Sequence, residues 1–131
     1  MHRYLIVGTY TAEGAKGVLK EGGTGRVAAA QAAIASMGGT LVSFHFALGS
    51  DEWYSIVDLP DNAAAAAIAL VGTASGALHS RAIALITPEE MDAITARAPD
   101  FRPPGSEGPG SGRTGTRRRT DSGAPRSTGA M

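Results

Sequence analysis

Residues 41–59 read LVSFHFALGSDEWYSIVDL, and this stretch decides the fold. Two runs rich in β-branched and aromatic residues flank the short polar segment at residues 49–52, which is the pattern of a β-hairpin. Directly after the second run, Pro60-Asp-Asn62 provides a helix-start signal. The stretch therefore predicts two neighbouring antiparallel strands in the middle of the chain, followed by a helix.

The segments on either side of the hairpin complete a βαββαβ order. The predicted elements are strands at residues 4–10 and 79–86, helices at about 24–37 and 62–75, and a short helix from about Thr87. Residues 11–23 contain four glycines, which weaken a helix, so we expect only a helical turn and a glycine-rich loop there. This order predicts an α+β, ferredoxin-like domain: a four-stranded antiparallel sheet with both helices on one face.

Composition divides the chain near Pro99. Residues 1–98 carry six basic and nine acidic residues, whereas residues 99–131 carry six arginines and three acidic residues. Twenty of the 33 residues in the second segment are Gly, Pro, Ser or Thr, so it buries too little apolar surface to become ordered. We therefore predict one domain over residues 1–98 and a disordered tail over residues 99–131. Arg117-Arg-Arg119 is either a solvated cluster or a contact for an acidic partner, and without interleaved aromatic residues nucleic acid is not the expected one.

Strand alternation assigns the hairpin side chains to two faces. A two- or four-residue loop centred between Ser50 and Asp51 pairs Phe46 with Ser55, whereas a three- or five-residue loop moves one strand's side chains to the other face. In the first register, the face toward the helices contains Val42, Phe44, Phe46, Leu48, Trp53, Val57 and Leu59. The opposite face contains Ser43, His45, Ala47, Tyr54, Ile56 and Asp58.

His45 and Asp58 form the candidate catalytic pair on the second face. In the predicted register His45 lies opposite Ile56, and Asp58 is its diagonal neighbour at about 7–8 Å between Cα atoms. A histidine beside a carboxylate can act as a general base with its orienting partner. The alternative is a hydrogen bond that only satisfies two partly buried groups, as at a subunit interface.

The second face is too apolar to stay in water. Tyr4, Ile6, Gly8 and Tyr10, or their alternates along the first strand, must also lie on it, and exposed apolar faces of this kind mark interaction surfaces. We expect a second copy of the chain to cover this face, giving a homodimer with an enclosed space between sheet and helices. The candidate pocket residues for a small apolar or aromatic ligand are Tyr4, Tyr10, His45, Tyr54 and Ile56.

Several short motifs resemble those of the GYD-domain family. They are YLIVGTYTAEG at residues 4–14, GGTGR at 22–26, Gly38-Gly39, Leu48-Gly49 and VDLPD at 57–61. The resemblance covers about residues 3–95 and implies a ferredoxin-like fold of the dimeric α/β-barrel type. It implies no activity, because the family has no established biochemical function. At the hairpin tip Ser50-Asp-Glu52 stands where the family places its tyrosine and aspartate, so no role of that tyrosine is carried over.

The glycine-rich segment near residue 25 is a candidate anion site. Gly23-Thr-Gly-Arg-Val-Ala28 matches the dinucleotide pattern G-x-G-x-x-A, but twelve residues separate it from the first strand, and no acidic residue follows at the required distance. Backbone N–H groups at Gly23 and Gly25, together with Arg26, suit a carboxylate or phosphate. The alternative is a glycine-rich connection without a ligand. With no cysteine and no histidine pair at helical spacing, we expect neither a metal site nor a cofactor.

Three functions fit these features. The first is a homodimeric small-molecule-binding protein. The second, by analogy with other dimeric α/β-barrel proteins, is a cofactor-independent oxygenase or isomerase acting on a small aromatic or lactone. The third is a structural or assembly protein whose basic tail recruits a partner. The sequence shows no apolar leader, no membrane-length segment and no cysteine, so we expect a cytoplasmic protein without a membrane partner.

Overall fold

The computed structural model describes residues 1–106, and its elements follow the predicted order. The strands are β1 (His2–Tyr10), β2 (Thr40–Phe46), β3 (Glu52–Leu59) and β4 (Leu78–Ala84), and the helices are α1 (Ala12–Ser36), α2 (Asn62–Ala74) and α3 (Pro88–Thr95). The chain forms two compact units, Met1–Thr87 and a second one that begins at Pro88. The predicted domain boundary after residue 98 stays a prediction, since most of the predicted tail, including Arg117-Arg-Arg119, lies outside the described residues.

The four strands form one antiparallel sheet in the order β2-β3-β1-β4. β1 is central and pairs with β3 on one side and with β4 on the other, which is the arrangement of a ferredoxin-like βαββαβ fold. The prediction of this α+β architecture is confirmed.

The core lies between one face of the sheet and the helices α1 and α2. Alternate side chains of the two central strands point into it, as strand geometry requires. The buried cluster consists of Tyr4, Ile6 and Tyr10 from β1, Trp53, Val57 and Leu59 from β3, Ile34 from α1, and Ala64 and Ala65 from α2. We call the other side of the sheet the open face, because neither α1 nor α2 packs on it.

Helix α1 begins twelve residues earlier than predicted, at Ala12 rather than near residue 24. Thr11 caps it by accepting a hydrogen bond from the backbone N–H of Gly14 at 3.2 Å. A Cβ atom at Gly14 would collide with the carbonyl oxygen of Ala77, so glycine is what lets the helix begin against that loop. The predicted loop over residues 11–23 was wrong, although Gly22, at φ 79°, interrupts the helix with a kink.

The hairpin turn is centred one residue earlier than predicted, which shifts the cross-strand pairs by two residues. Phe46 lies opposite Trp53, and Phe44 lies opposite Ser55. Gly49 adopts φ 74°, a left-handed conformation that favours glycine, and so sets the position of the turn. The predicted pairs were therefore wrong, but a shift of two residues preserves the alternation, so most side chains lie on their predicted face.

Two hydrophobic residues of the hairpin leave the face predicted for them. β2 is irregular between Leu41 and Ser43, and this bulge directs Leu41 toward the core and leaves Val42 46% exposed. Leu48 follows the end of β2 and lies fully exposed in the turn. Neither Val42 nor Leu48 contributes to the core as predicted.

Trp53 packs directly on the backbone of β1. It lies opposite Gly8 in the sheet, and a Cβ atom at Gly8 would fall within its indole ring. The absence of a side chain at Gly8 is therefore what allows the indole to lie flat on the central strand.

Replacing Gly8 with alanine should displace Trp53. We expect Gly8→Ala to lower the free energy of unfolding by about 1–3 kcal/mol, the usual cost of overpacking a core. Urea unfolding followed by the fluorescence of Trp53, the only tryptophan, measures this change directly. The control is Gly17→Ala on α1, where nothing lies within 4 Å of an added Cβ atom and alanine favours the helix. Equal stability of the two variants would contradict the packing argument.

Candidate functional site

A cavity of about 280 Å³ lies between the sheet and the helices α1 and α2. All four strands contribute to its floor, and the two helices cover it. Its lining is mostly apolar, as is usual for sites that take small organic molecules. The main lining residues are Ile6, Tyr10, Leu41, Phe44, Trp53 and Leu78 from the sheet, and Ala30, Ile34, Met37, Ala67, Ile68 and Gly72 from the helices.

The cavity exists because small helix residues face large sheet residues. Ala30 and Ala33 of α1 and Ala67 and Gly72 of α2 all line it, and none has a side chain longer than a methyl group. At Gly72 even a methyl group would approach Leu78 Cδ1 to 2.8 Å. Helix α2 therefore lies close to β4 at Gly72, while the small side chains of both helices leave unfilled volume between helices and sheet.

Three aromatic rings form one wall of the cavity. Phe44 stacks on Trp53 with ring centroids 5.2 Å apart and an angle of 14° between the ring planes. Tyr10 contacts the same indole at 6.0 Å in a tilted arrangement. These distances fall in the range of favourable aromatic pairs, so the wall is stabilised by its own contacts.

The indole N–H of Trp53 is a buried donor without an acceptor. Within residues 1–106, Trp53 Nε1 is the buried side-chain nitrogen or oxygen that makes no hydrogen bond. Leaving such a group unpaired costs about 1–3 kcal/mol, so an unpaired donor in a native core requires an explanation. The nitrogen is enclosed by protein atoms, so a molecule in the cavity would meet the ring of Trp53 rather than this donor.

Tyr10 and Arg26 are polar residues in the lining of the cavity, and Glu21 contacts Arg26 from outside this lining. Nη1 of Arg26 lies 3.4 Å from Oε2 of Glu21. Burial raises the pKa of the Tyr10 hydroxyl, the positive charge of Arg26 opposes that change, and the negative charge of Glu21 adds to it. Both charges therefore act on the tyrosine that lines the cavity.

The structure does not bring the five predicted pocket residues together. Tyr10 lines the cavity. Tyr4 lies on the same side of the sheet, but it is buried in the core, and its hydroxyl donates a hydrogen bond to Oδ1 of Asn62 at 2.6 Å. His45, Tyr54 and Ile56 lie on the open face, because β1 pairs with β3 in a register that places Tyr4 opposite Val57.

His45 and Asp58 are also separated, since the hairpin register differs from the predicted one. His45 lies opposite Tyr54, and Asp58 lies opposite Thr40, four residues further along β3 or about 13 Å. Asp58 instead accepts two hydrogen bonds from Arg3, both at 2.9 Å. The hydrogen bond from Arg3 lowers the pKa of the Asp58 carboxyl group. A catalytic role of His45 stays a prediction, but Asp58 is not in position to orient it.

The predicted anion site lies at the kink of α1. Gly23 and Gly25 follow Gly22, where the helix starts again, and Arg26 lies in the next turn. The guanidinium group of Arg26 contacts Glu21 rather than solvent alone. Anion binding by the two glycine N–H groups stays a prediction.

The cavity was only partly visible in the sequence. Phe44 and Trp53 were predicted to be core residues, and they are, but their second role as a cavity wall was missed. The signal that could have found it is the contrast between aromatic residues on the inner sheet face and alanine or glycine on both facing helices. Neither strand nor helix periodicity measures how well two faces fill the space between them.

Together, the fold and the cavity define an α+β protein with a small-molecule-sized space between its sheet and its helices. The model of the GYD domain family matches residues 4–95. Since the match covers more than half of the chain, this protein belongs to the GYD domain family. No curated protein matches the chain.

Within residues 1–106, no helix is both long and apolar enough to cross a membrane. The same residues contain no group of three or more His, Cys, Asp or Glu side chains placed to hold a metal ion.

The pair of Arg3 and Asp58 predicts a pH dependence of stability. A carboxyl group whose pKa is lowered by folding stabilises the folded state above its ordinary pKa of 3.8, and this contribution is lost as the pH falls through the lowered value. We therefore expect Asp58→Asn to be less stable than the wild type at pH 7, with a difference that shrinks below pH 3.8. Urea unfolding at a series of pH values measures it. The control is Asp51→Asn in the exposed turn, and an equal pH dependence of both variants would refute the prediction.

Proposed function

We propose that this GYD domain protein is a homodimeric small-molecule-binding protein that holds a small apolar or aromatic ligand in the cavity. The observation that carries the proposal is a preformed, mostly apolar cavity with a wall of stacked aromatic rings. Binding is preferred to catalysis because His45 and Asp58, the pair on which the enzymatic hypothesis depended, lie apart. Location in the cytoplasm remains part of the proposal and rests on the sequence.

The size of the cavity supports a ligand of one or two rings. A cavity of about 150 Å³ lined by apolar side chains stays dry and takes one benzene molecule. The cavity of about 280 Å³ is nearly twice as large. The flat surface of Trp53 and Phe44 suits a planar ring, which would restore the van der Waals contacts that the unfilled space lacks.

The open face of the sheet supports the homodimer. Its centre is an apolar row formed by Leu5, Ile56 and Ile83, which lie opposite one another on three adjacent strands, followed by Val7 in the next row. Interfaces between proteins commonly have such an apolar centre with a polar rim. Here Arg3 and Asp58 form a charged pair in the row next to Leu5 and Ile56, on the side opposite Val7.

The charges on the open face favour a second copy of the chain over another partner. Each end of the face carries both signs: Arg3 pairs with Asp58 at one end, and Arg81 and Glu52 lie near Tyr54 at the other. A two-fold dimer requires a patch that is complementary to itself. Equal numbers of positive and negative groups around an apolar centre meet this requirement.

Filling the cavity should abolish ligand binding. We expect 2-naphthamide, a neutral two-ring probe, to shift the indole N–H signal of Trp53 in a saturable manner, because the indole ring lines the site. The chain has one tryptophan, so a ¹⁵N-labelled sample gives one such signal. Ala67→Leu, which places a larger side chain in the lining of the cavity, should remove the response.

Ala66→Leu is the matched control for this experiment. Ala66 is the neighbouring residue on α2, is exposed, and does not line the cavity, and leucine is a strong helix former at either position. The control should bind the probe like the wild type. Absence of any response in the wild type, or equal responses in both variants, would refute the proposed binding site.

A charge in the centre of the open face should prevent dimer formation. We expect the wild type to have the mass of a dimer in light scattering at micromolar concentration. Leu5→Lys, between Ile56 and Ile83 in the apolar row, should have the mass of a monomer, because a buried lysine without a partner is strongly unfavourable. Leu70→Lys is the control and should remain dimeric, because Leu70 lies on α2 and is 70% exposed. A monomeric wild type would contradict the homodimer.

A further inference from the structure

Arg26 is a charged residue in the lining of the cavity. Its guanidinium group can only donate hydrogen bonds, whereas the hydroxyl groups in the same lining, those of Tyr10, Ser36, Ser55 and Ser80, can both donate and accept. Arg26 has Glu21 as its partner. The cavity is therefore suited to a molecule that brings an acceptor group to Arg26.

The contact between Arg26 and Glu21 is a weak one. It consists of a single distance of 3.4 Å, which is long for a charge-assisted hydrogen bond. The two side chains are 31% and 36% exposed, and ion pairs of this exposure stabilise a protein little. A ligand can therefore replace Glu21 at Arg26 at little cost in free energy.

The kink in α1 is the reason that these two residues meet. In a continuous helix, residues five apart point about 140° away from each other, since each residue turns the helix by about 100°. Gly22 lies between them with φ 79°, and the change in direction brings Glu21 and Arg26 together. Glu21 thus lies beside Arg26 in the position that the anionic group of a ligand would take.

From these observations we propose that the ligand is a small aromatic carboxylate whose ring lies against Trp53 and whose carboxylate replaces Glu21 at Arg26. This inference rests on the proposed function, and it adds the class of ligand. The planar guanidinium group of Arg26 can bind a carboxylate through two parallel hydrogen bonds, which Glu21 does not form. A two-ring aromatic acid has a ring system that suits the volume of the cavity and a negative charge that suits Arg26.

The test compares 2-naphthoate with 2-naphthamide, which has the same ring system without the charge. Calorimetric titration of the full-length protein should give a dissociation constant about tenfold lower for the carboxylate, the usual effect of a hydrogen bond to a charged group. Arg26→Gln should remove this advantage and leave the affinity for the amide unchanged.

Glu21→Gln provides a prediction in the opposite direction. Because the variant removes the competitor of the ligand, it should bind 2-naphthoate about two- to fivefold more tightly, a gain that corresponds to the loss of a weak surface ion pair. The amide should bind as in the wild type. Lys16→Gln is the control, since it removes a charge from the exposed side of the same helix and should change neither affinity.

The outcomes separate this inference from the proposed function. If the amide and the carboxylate bind equally well and Glu21→Gln has no effect, the carboxylate proposal is wrong and the binding cavity remains. If neither probe binds the wild type, both proposals are wrong. Should Arg26→Gln fail to fold, the comparison of the two probes with the wild type and with Glu21→Gln still decides the question.

Discussion

The contact between Trp53 and Gly8 is the constraint on which the inner side of this sheet depends. Because Gly8 has no side chain, the indole lies directly on the central strand. It then contacts Tyr10 from the same strand and stacks on Phe44 from β2, so one ring joins three strands. The aromatic wall of the cavity is thus part of the core, and its position is set by the packing that holds the sheet together.

The unfilled space above this wall needs a physical reason, since protein interiors are normally packed to the density of organic crystals. Larger residues at Ala30 or Ala67 would fill the cavity and add van der Waals contacts. The alanines at these positions therefore make the fold less stable than it could be. The indole N–H, which has no acceptor within residues 1–106, adds a further cost, so the core on this side of the sheet is less stable than a fully packed one would be. Sites that bind ligands commonly show such a compromise between stability and function.

The fold could be predicted from the sequence because its signals are local. The strand pattern of residues 41–59, the cap at Asp61 and the glycine at position 76 each act within a few residues of themselves, and the element order follows from them. The start of α1 was missed, since its support comes from the distant carbonyl group of Ala77. The family resemblance was confirmed, and it too concerns the fold rather than a reaction.

The site could not be predicted to the same extent, because it depends on register and on fit between distant faces. One residue in the position of the turn, set by Gly49, moved His45 from Ile56 to Tyr54 and removed Asp58 from its reach. The choice between the two faces of β1 placed Tyr4 and Tyr10 inward, away from His45. A strand pattern predicts that its residues alternate, but the pairing that decides which side chains meet is a property of the whole sheet.

The kink at Gly22 is a local backbone feature that determines a side-chain contact beside the cavity. The glycines of residues 11–23 predicted a loop after a short helical turn, and in the structure Gly22 interrupts a helical segment and changes its direction. That change brings Glu21 and Arg26 together beside Tyr10, so a residue without a side chain sets the electrostatics of the cavity. Glu21 lies beside Arg26 through a single long contact, and the guanidinium group has further N–H donors for a second acceptor. Because the carboxylate of Glu21 is held so loosely, the group best suited to replace it is another carboxylate, attached to a ring system that fills the apolar cavity.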